Sequence, residues 1–433
     1  MPSPQKTPAR VLIADKSFPL FLLLVSSFFL TIFFRISASV VLPPEGERLG
    51  MSAALIGFIS SIHFYIYALL QPVSGILHDR YGPVRVVTFG LFLTAASCLL
   101  LTFVRTPLTL GAWRLISGVG VAPMYSAVLV FQAFAFDPER YSFYAAINLG
   151  VSSLGAIVSV APLGFAIDTF GMTGTFAILS AIPLVLGGVL AKKAPHDPIR
   201  LSGSGKGAES IMSIFPGIAW AVVYILKNPR LRSIQTLWGV SSASLVTFQA
   251  LWGVSWFAAA FGVSLPSARF WSSLVSLGMM LGPIFTSGIL VLPEKLPGII
   301  RKACSFNALS WFILLAAAHW GSGVWVGGLA AFLVGVASGM RGVFSLAAIT
   351  AVSPPDRRGV IFGAMNMTAV LSSVVFQWIT GIVIDFFPGE APGTFTGAGY
   401  TAGFLVVSIC MALSLLAFRS LGREPFAPEE RHT

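Results

Sequence analysis

The chain contains twelve apolar stretches, each of 17 residues or more, in which charged side chains are almost absent. Only 10% of the 433 residues are charged and 56% are hydrophobic, whereas an ordinary soluble domain is about 25% charged and about 45–50% apolar. A single α-helix needs about 20 apolar residues to cross a bilayer. The pattern therefore predicts an all-α membrane protein with 12 transmembrane helices and a lipid bilayer as its surroundings.

The predicted spans follow one another with short connections, except in the middle of the chain. Segment 208–232 has an apolar part, 216–226, that is too short to cross and is followed at once by Lys227, Arg230 and Arg232, so we expect an interfacial helix there. The first apolar run is too long for a signal peptide. Numbered 1 to 12, the predicted spans are 18–42, 53–77, 85–104, 108–134, 141–167, 174–191, 233–258, 267–292, 303–319, 324–351, 359–385 and 398–418.

The distribution of Lys and Arg predicts the orientation. If both termini are cytoplasmic, 21 of the 27 Lys and Arg residues fall in cytoplasmic tails and loops, as the positive-inside rule requires. The net charge of +11 then reflects topology and not nucleic acid binding. We expect a multi-pass protein of a cell (inner) membrane, acting as a monomer.

An internal repeat divides the chain into two halves. Arg140 with Asn148 recurs as Arg358 with Asn366, 218 residues later, and each copy ends in a Gly-x-x-x-Asp sequence, at Asp168 and Asp385. The repeat predicts two pseudo-symmetric six-helix bundles. We expect a tail at 1–17, bundles at 18–193 and 233–418, a polar linker at 194–232 and a tail at 419–433.

The sharpest motif is Gly75-Ile-Leu-His-Asp79-Arg80-Tyr-Gly82-Pro-Val-Arg85, at the cytoplasmic end of span 2. Here Gly75 would allow close helix approach, Gly82 a tight turn, and Asp79 is an anion that needs a partner. The motif resembles the signature of the major facilitator superfamily. The resemblance implies alternating access and a gate contact between Asp79 and the N-terminus of span 11. The gating candidates are Gly75, Asp79, Arg80, Gly82, Arg85, Arg140, Arg357 and Arg358.

Two further motifs contain an arginine inside a span. Arg114-Leu-Ile-Ser-Gly118-Val-Gly120 in span 4 resembles the superfamily's Arg-x-x-x-Gly-x-Gly motif, whose arginine is associated with proton-coupled transport. The alternative is that Arg114 reaches out to the membrane interface. Phe-Phe-Arg35-Ile-Ser37 in span 1 resembles the organic anion/proton symporter branch of the superfamily.

The charges inside the spans predict an anionic ligand. Arg35 and Arg341 lie in spans 1 and 10, Arg269 is expected at the interface, and no acidic residue lies well inside a span. Because a buried arginine needs an anion, the simplest partner is the substrate. We expect a small carboxylate in preference to a phosphate.

Polar and aromatic side chains at helical spacing complete the predicted site, although helix packing could also explain them. Those on one face of a span are His63, Tyr67 and Gln71 in span 2, and Gln249, Trp252 and Trp256 in span 7. The eleven predicted substrate-binding residues are Arg35, His63, Tyr67, Arg114, Tyr125, Asn148, Gln249, Trp252, Arg341, Asn366 and Gln377. Since histidine titrates near neutral pH, proton coupling through His63 or Arg114 is an open alternative to simple facilitation.

The sequence thus predicts a secondary transporter of a small organic anion. The three cysteines have no metal-ligand spacing, and we expect no metal, no cofactor and no enzymatic activity. The alternatives are an exporter of amphipathic or uncharged compounds, an organic-phosphate transporter, and a membrane enzyme or sensor with a transporter fold.

Overall fold

The computed structural model describes residues 17–137, 141–197, 199, 211–286, 294–321, 323–354 and 357–421, and these residues are almost entirely helical. Within these residues, ten helices are long and apolar enough to cross a membrane. One of them, Ala161–Lys193, contains parts of two spans, and span 8 is a further helix. The prediction of twelve spans is confirmed.

The first half contains spans 1 to 6. Gly171, with φ +68° and ψ 168°, separates span 5 from span 6, because only glycine adopts this backbone conformation readily. The helices of this half are Phe18–Ile36 with Ala38–Arg48 (span 1), Ala53–Tyr81 (span 2), Pro83–Leu101 (span 3), Pro107–Ala135 (span 4), Tyr141–Val158 leading into Ala161–Lys193 (spans 5 and 6), and a short 3₁₀ turn Ala194–His196.

The second half begins with the helix Ile211–Lys227, where an interfacial helix is predicted, and span 7 follows from Pro229. Ala221 and Ile225 of that helix are buried in one apolar cluster with Leu231 and Ile361. The remaining helices are Pro229–Thr247, a π-helical turn Phe248–Trp252 and Gly253–Phe261 (span 7), Leu265–Thr286 (span 8), Leu296–His319 (span 9), Val324–Val352 (span 10), Arg358–Asp385 (span 11), Gly397–Ser414 (span 12), Leu415–Ala417 (3₁₀) and Phe418–Leu421.

The two halves meet closely at one end of the bundle. We call the end that carries Ser17, Lys193 and Phe418 the linker side, and the opposite end the far side. A Cβ atom on Gly57 would lie 2.4 Å from the carbonyl oxygen of Gln377, and one on Gly381 would lie 2.5 Å from that of Ala53. Spans 2 and 11 therefore pack backbone to backbone near the far side, as small residues at a helix interface allow.

Candidate functional site

A cavity lies between the two halves and has two overlapping lobes. The Arg341 lobe has a volume of about 410 Å³ and the Tyr67 lobe a volume of about 460 Å³, both within the range of about 300–1,000 Å³ that is typical of small-molecule sites. The two lobes share lining residues from both halves, among them Arg35, Gln249 and Asn366. A ligand in the cavity would therefore contact both bundles at once.

The cavity lies at the middle and on the linker side of the bundle. Span 4 lines it with Tyr125 and Leu129, and span 11 with Phe362 and Asn366, which belong to the linker-side halves of those helices. The close packing of spans 2 and 11 lies on the far side. The structure is thus closed on the far side of the cavity.

Two arginines, one from each half, line the Arg341 lobe. Arg341 is only 4% exposed, and its Nε and Nη1 atoms have no hydrogen-bond partner. Arg35 lines both lobes, and among the described residues it has no hydrogen bond or ion pair. No Asp or Glu among those residues lines either lobe. In the part of the chain that the structure describes, the cavity therefore contains two cationic groups and no carboxylate to pair with them.

Seven of the eleven predicted substrate-binding residues line the cavity. Asn148 is 5% exposed and its Oδ1 has no partner, whereas the amide of Gln249 donates to Ser276 Oγ at 2.6 Å. The Tyr125 ring packs on Phe28, with a centroid distance of 4.9 Å. The seven are Arg35, Tyr67, Tyr125, Asn148, Gln249, Arg341 and Asn366.

Arg114 is bound entirely by protein and does not line the cavity. It is fully buried, and its guanidinium donates to the carbonyl oxygen of Phe34 at 3.1 Å and to that of Ser60 at 3.0 and 3.3 Å. The rings of Trp113 and Phe64 lie 5.2 and 5.9 Å from it. Arg114 therefore joins span 4 to spans 1 and 2 and does not reach the membrane interface.

His63 is fully buried and does not line either lobe of the cavity. Its Nδ1 is 3.3 Å from Ser117 Oγ, and its Nε2 has no partner. The His63 and Tyr67 rings are stacked, with a centroid distance of 6.5 Å, as their helical spacing predicts. His63 thus adjoins Tyr67, which lines the cavity.

The common face predicted for Gln249, Trp252 and Trp256 is wrong, because span 7 contains a π turn. The turn Phe248–Trp252 adds a residue to the helical register. Gln249 lines the cavity, while the indole N–H groups of Trp252 and Trp256 donate to Thr380 and Thr401 at 3.1 and 3.0 Å. Trp252 thus packs within the protein. Gln377 is likewise fully buried, and neither polar atom of its amide has a partner.

The two aspartates of the repeat make contacts between the halves on the far side. Asp385 at the end of span 11 accepts hydrogen bonds from the backbone N–H groups of Ala53 and Ala54, at 2.6 and 3.0 Å, and so caps span 2. Asp168 forms an ion pair of 2.5 Å with Arg269 of span 8. Arg269 lies near the start of span 8, where the sequence predicts it; its side chain is only 5% exposed and is paired, and this pairing was not predicted.

The predicted gating motif lies at the linker side. Gly82 has φ +82° and ends the span 2 helix, which confirms the predicted turn. The close approach expected at Gly75 is wrong for this conformation, since a Cβ there would meet no atom within 4 Å. Asp79, Arg80, Arg85 and Arg358 are exposed, the Arg357 guanidinium lies over the Trp220 ring at 4.9 Å, and Arg140 lies outside the described residues.

Sequence reasoning missed the serines and methionines of the cavity. Ser152 and Ser153 both donate to the carbonyl oxygen of Leu149, and Met279 and Met280 line both lobes. Apolar runs in a membrane protein contain many such residues, so no pattern singles them out. Within the described ranges, no cluster of His, Cys, Asp and Glu could hold a metal ion.

Comparison with known proteins agrees with this architecture. An uncharacterized transporter of Bacillus subtilis (strain 168), YybO, is 21% identical over 397 residues, 87% of this chain and 88% of the relative. The hexuronate transporter of the same organism is 25% identical over 401 residues, 88% and 89% of the two chains. A solved bacterial homolog of the human lysosomal transporter Spinster covers 97% of this chain and 98% of its own, with a TM-score of 0.72 and 13% identity.

A family model settles the classification. The model described as Major Facilitator Superfamily matches residues 24–376, most of the chain. The resemblance read from the motif at the end of span 2 is therefore confirmed, together with the predicted fold. The chain belongs to the major facilitator superfamily of membrane transporters.

Proposed function

We propose that this transporter moves a small organic anion, with a carboxylate as the charged group, across the membrane by alternating access. The observation that carries the proposal is the pair Arg35 and Arg341, which line one lobe that no Asp or Glu of the described residues lines. A guanidinium grips a carboxylate through two parallel hydrogen bonds. A ligand anion is the simplest group to neutralise these two side chains.

A relative with an anionic substrate supports this reading. The hexuronate transporter of Bacillus subtilis is similar to this chain over most of both sequences, and a hexuronate is a carboxylate. The likeness is low, at 25% identity, so it supports the charge of the substrate and not its body.

The far-side contacts support an alternating-access cycle. With the linker side in the cytoplasm, as the Lys and Arg distribution favours, the structure corresponds to an inward-facing conformation. To open outward, the protein would break the contacts of Asp385 with span 2 and of Asp168 with Arg269. The gate contact of Asp79 with the start of span 11 would then form on the cytoplasmic side.

Proton coupling stays a prediction, and His63 is its candidate. If His63 carries the proton, His63→Gln should abolish accumulation driven by a pH gradient while counterflow exchange of substrate continues. The measurement is uptake into proteoliposomes with and without the gradient, for wild type and His63→Gln. Concentration of a permanently charged substrate by His63→Gln would exclude this role.

Uptake into proteoliposomes tests the proposed function itself. The panel contains labelled mono- and dicarboxylates, a sugar acid, an organic phosphate, and neutral amides of the same acids. The proposal expects saturable uptake of at least one carboxylate and none of its amide. Uptake of the amides alone would favour an exporter of uncharged or amphipathic compounds, and uptake of the phosphate alone would favour an organic-phosphate transporter.

A further inference from the structure

The walls of the cavity indicate the chemistry of the substrate's body, by which we mean the part of the molecule other than its charged group. Five apolar side chains line both lobes: Leu149, Met279, Met280, Leu346 and Val370. They surround the region that the lobes share and that Arg35 also lines. A ligand whose charge contacts Arg35 would therefore place the rest of its body against apolar surface.

Most of the cavity's polar side chains already have partners within the protein. Ser152 and Ser153 donate to Leu149, Ser373 donates to Ala369, and Ser338 accepts from Asn307 at 2.9 Å. The amide of Gln249 donates to Ser276. Ser242, Asn148 and Asn366 are the Ser and Asn side chains of the lining that have no such bond among the described residues, a small set for the several hydroxyls of a sugar acid. Burying those hydroxyls without partners would weaken binding.

We infer that the substrate is a carboxylate with an apolar body, such as a branched, straight-chain or aromatic monocarboxylate, and not a polyhydroxylated acid. The inference rests on the proposed function, because it assigns the body of the ligand whose charge Arg35 and Arg341 bind. The two methionines suit such a body, since their unbranched side chains adapt to different apolar shapes.

A homologous series tests the inference on the full chain. Calorimetric titration in lipid nanodiscs, with empty nanodiscs as the blank, would compare acetate, butyrate, hexanoate and glucuronate. Each methylene buried in the cavity should strengthen binding by about fourfold, so hexanoate, with four more methylenes, should bind up to about 250-fold more tightly than acetate. Glucuronate should bind more weakly than hexanoate.

A matched pair of variants separates the cavity wall from the rest of span 11. Val370→Thr keeps the size of the side chain and adds a hydroxyl to the wall, so hexanoate binding should weaken by about fivefold while acetate changes less. Val375→Thr makes the same change on the exposed face of the same helix and should leave both unchanged.

The outcomes separate the inference from the proposed function. If carboxylates bind but affinity does not rise with chain length, or if glucuronate binds more tightly than hexanoate, the apolar body is wrong and the anion assignment survives. If equal losses occur in Val370→Thr and Val375→Thr, the wall does not contact the ligand and the inference falls. If no carboxylate binds at all, both fall.

Discussion

The arginines inside the membrane spans fall into two groups, which differ in whether the protein itself supplies a partner for the guanidinium. On the far side Arg269 is paired with Asp168, and within the first half Arg114 is held by the carbonyl oxygens of Phe34 and Ser60. In the cavity, Arg35 and Arg341 have no such partner among the described residues. A buried cation that the protein satisfies itself is structural, whereas one that it leaves unsatisfied marks a binding site.

Removal of Arg114 should have the largest effect on stability. Arg114→Leu eliminates three hydrogen bonds from a charged donor, each of which contributes about 1.5–3 kcal/mol. We expect a loss of about 3 kcal/mol or more in the free energy of unfolding, measured as a lowered Tm in detergent. Should Arg114→Leu keep the wild-type Tm and lose only transport, Arg114 would belong with the cavity arginines.

Loss of the Asp385 contact should have an intermediate effect, which falls on the equilibrium between the inward-facing and outward-open conformations. Asp385→Asn removes the charge that caps span 2, an interaction of about 1–2 kcal/mol, so the outward-open population should rise by about 5- to 30-fold. Pulsed electron paramagnetic resonance between labels at Leu108→Cys and Trp320→Cys, exposed on the far side of the two halves, measures it.

Asp385→Glu keeps the charge and serves as the control for this prediction. Its distance distribution should lie closer to wild type than that of Asp385→Asn. Identical distributions for wild type and Asp385→Asn would show that close packing of spans 2 and 11 holds the far side without the carboxylate.

Asp79→Asn should have the smallest effect, and it should shift the conformational equilibrium in the direction opposite to Asp385→Asn. Asp79 is exposed in this conformation, so Asp79→Asn should leave the Tm unchanged. If Asp79 forms the cytoplasmic gate contact in the outward-open state, its loss should destabilise that state by less than about 1 kcal/mol. The distances between the same two labels should then shift toward those of the conformation that is closed on the far side. Unchanged distances together with unchanged uptake would remove Asp79 from the gate.

The sequence was sufficient to predict the fold because each membrane span is marked by high hydropathy along the whole length of its helix. The twelve spans, the turn at Gly82 and the position of Asp168 and Asp385 at span ends follow from local patterns. The cavity arginines were also predictable, because a charge inside an apolar span stands out in the sequence.

The contacts that sequence reasoning missed depend on a neighbouring helix or on helical register. Arg269 lies near the start of span 8, and nothing local shows that Asp168 of span 5 comes within hydrogen-bonding distance. The π turn at Phe248–Trp252 turns Trp252 away from the face that Gln249 occupies. Arg114 looked functional because it is an arginine inside an apolar span. Its partners, however, are backbone carbonyl oxygens, and because every residue has one, the sequence cannot show which of them Arg114 contacts.

The direct test of the central claim compares Arg35 and Arg341 with the paired Arg269 in one binding experiment. Calorimetry would titrate a carboxylate and its amide against wild type, Arg35→Lys, Arg341→Lys, the corresponding Ala variants, and Arg269→Lys, each checked for folding by size-exclusion chromatography. We expect Ala at either cavity position to weaken carboxylate binding by roughly tenfold to over a hundredfold. Lys should weaken it less, because the charge stays but the fork is lost.

Amide binding should not change in any variant, and Arg269→Lys should bind the carboxylate as wild type does. If the Arg35 and Arg341 variants fold and bind every carboxylate as tightly as wild type does, the two arginines are structural and the anion assignment is wrong.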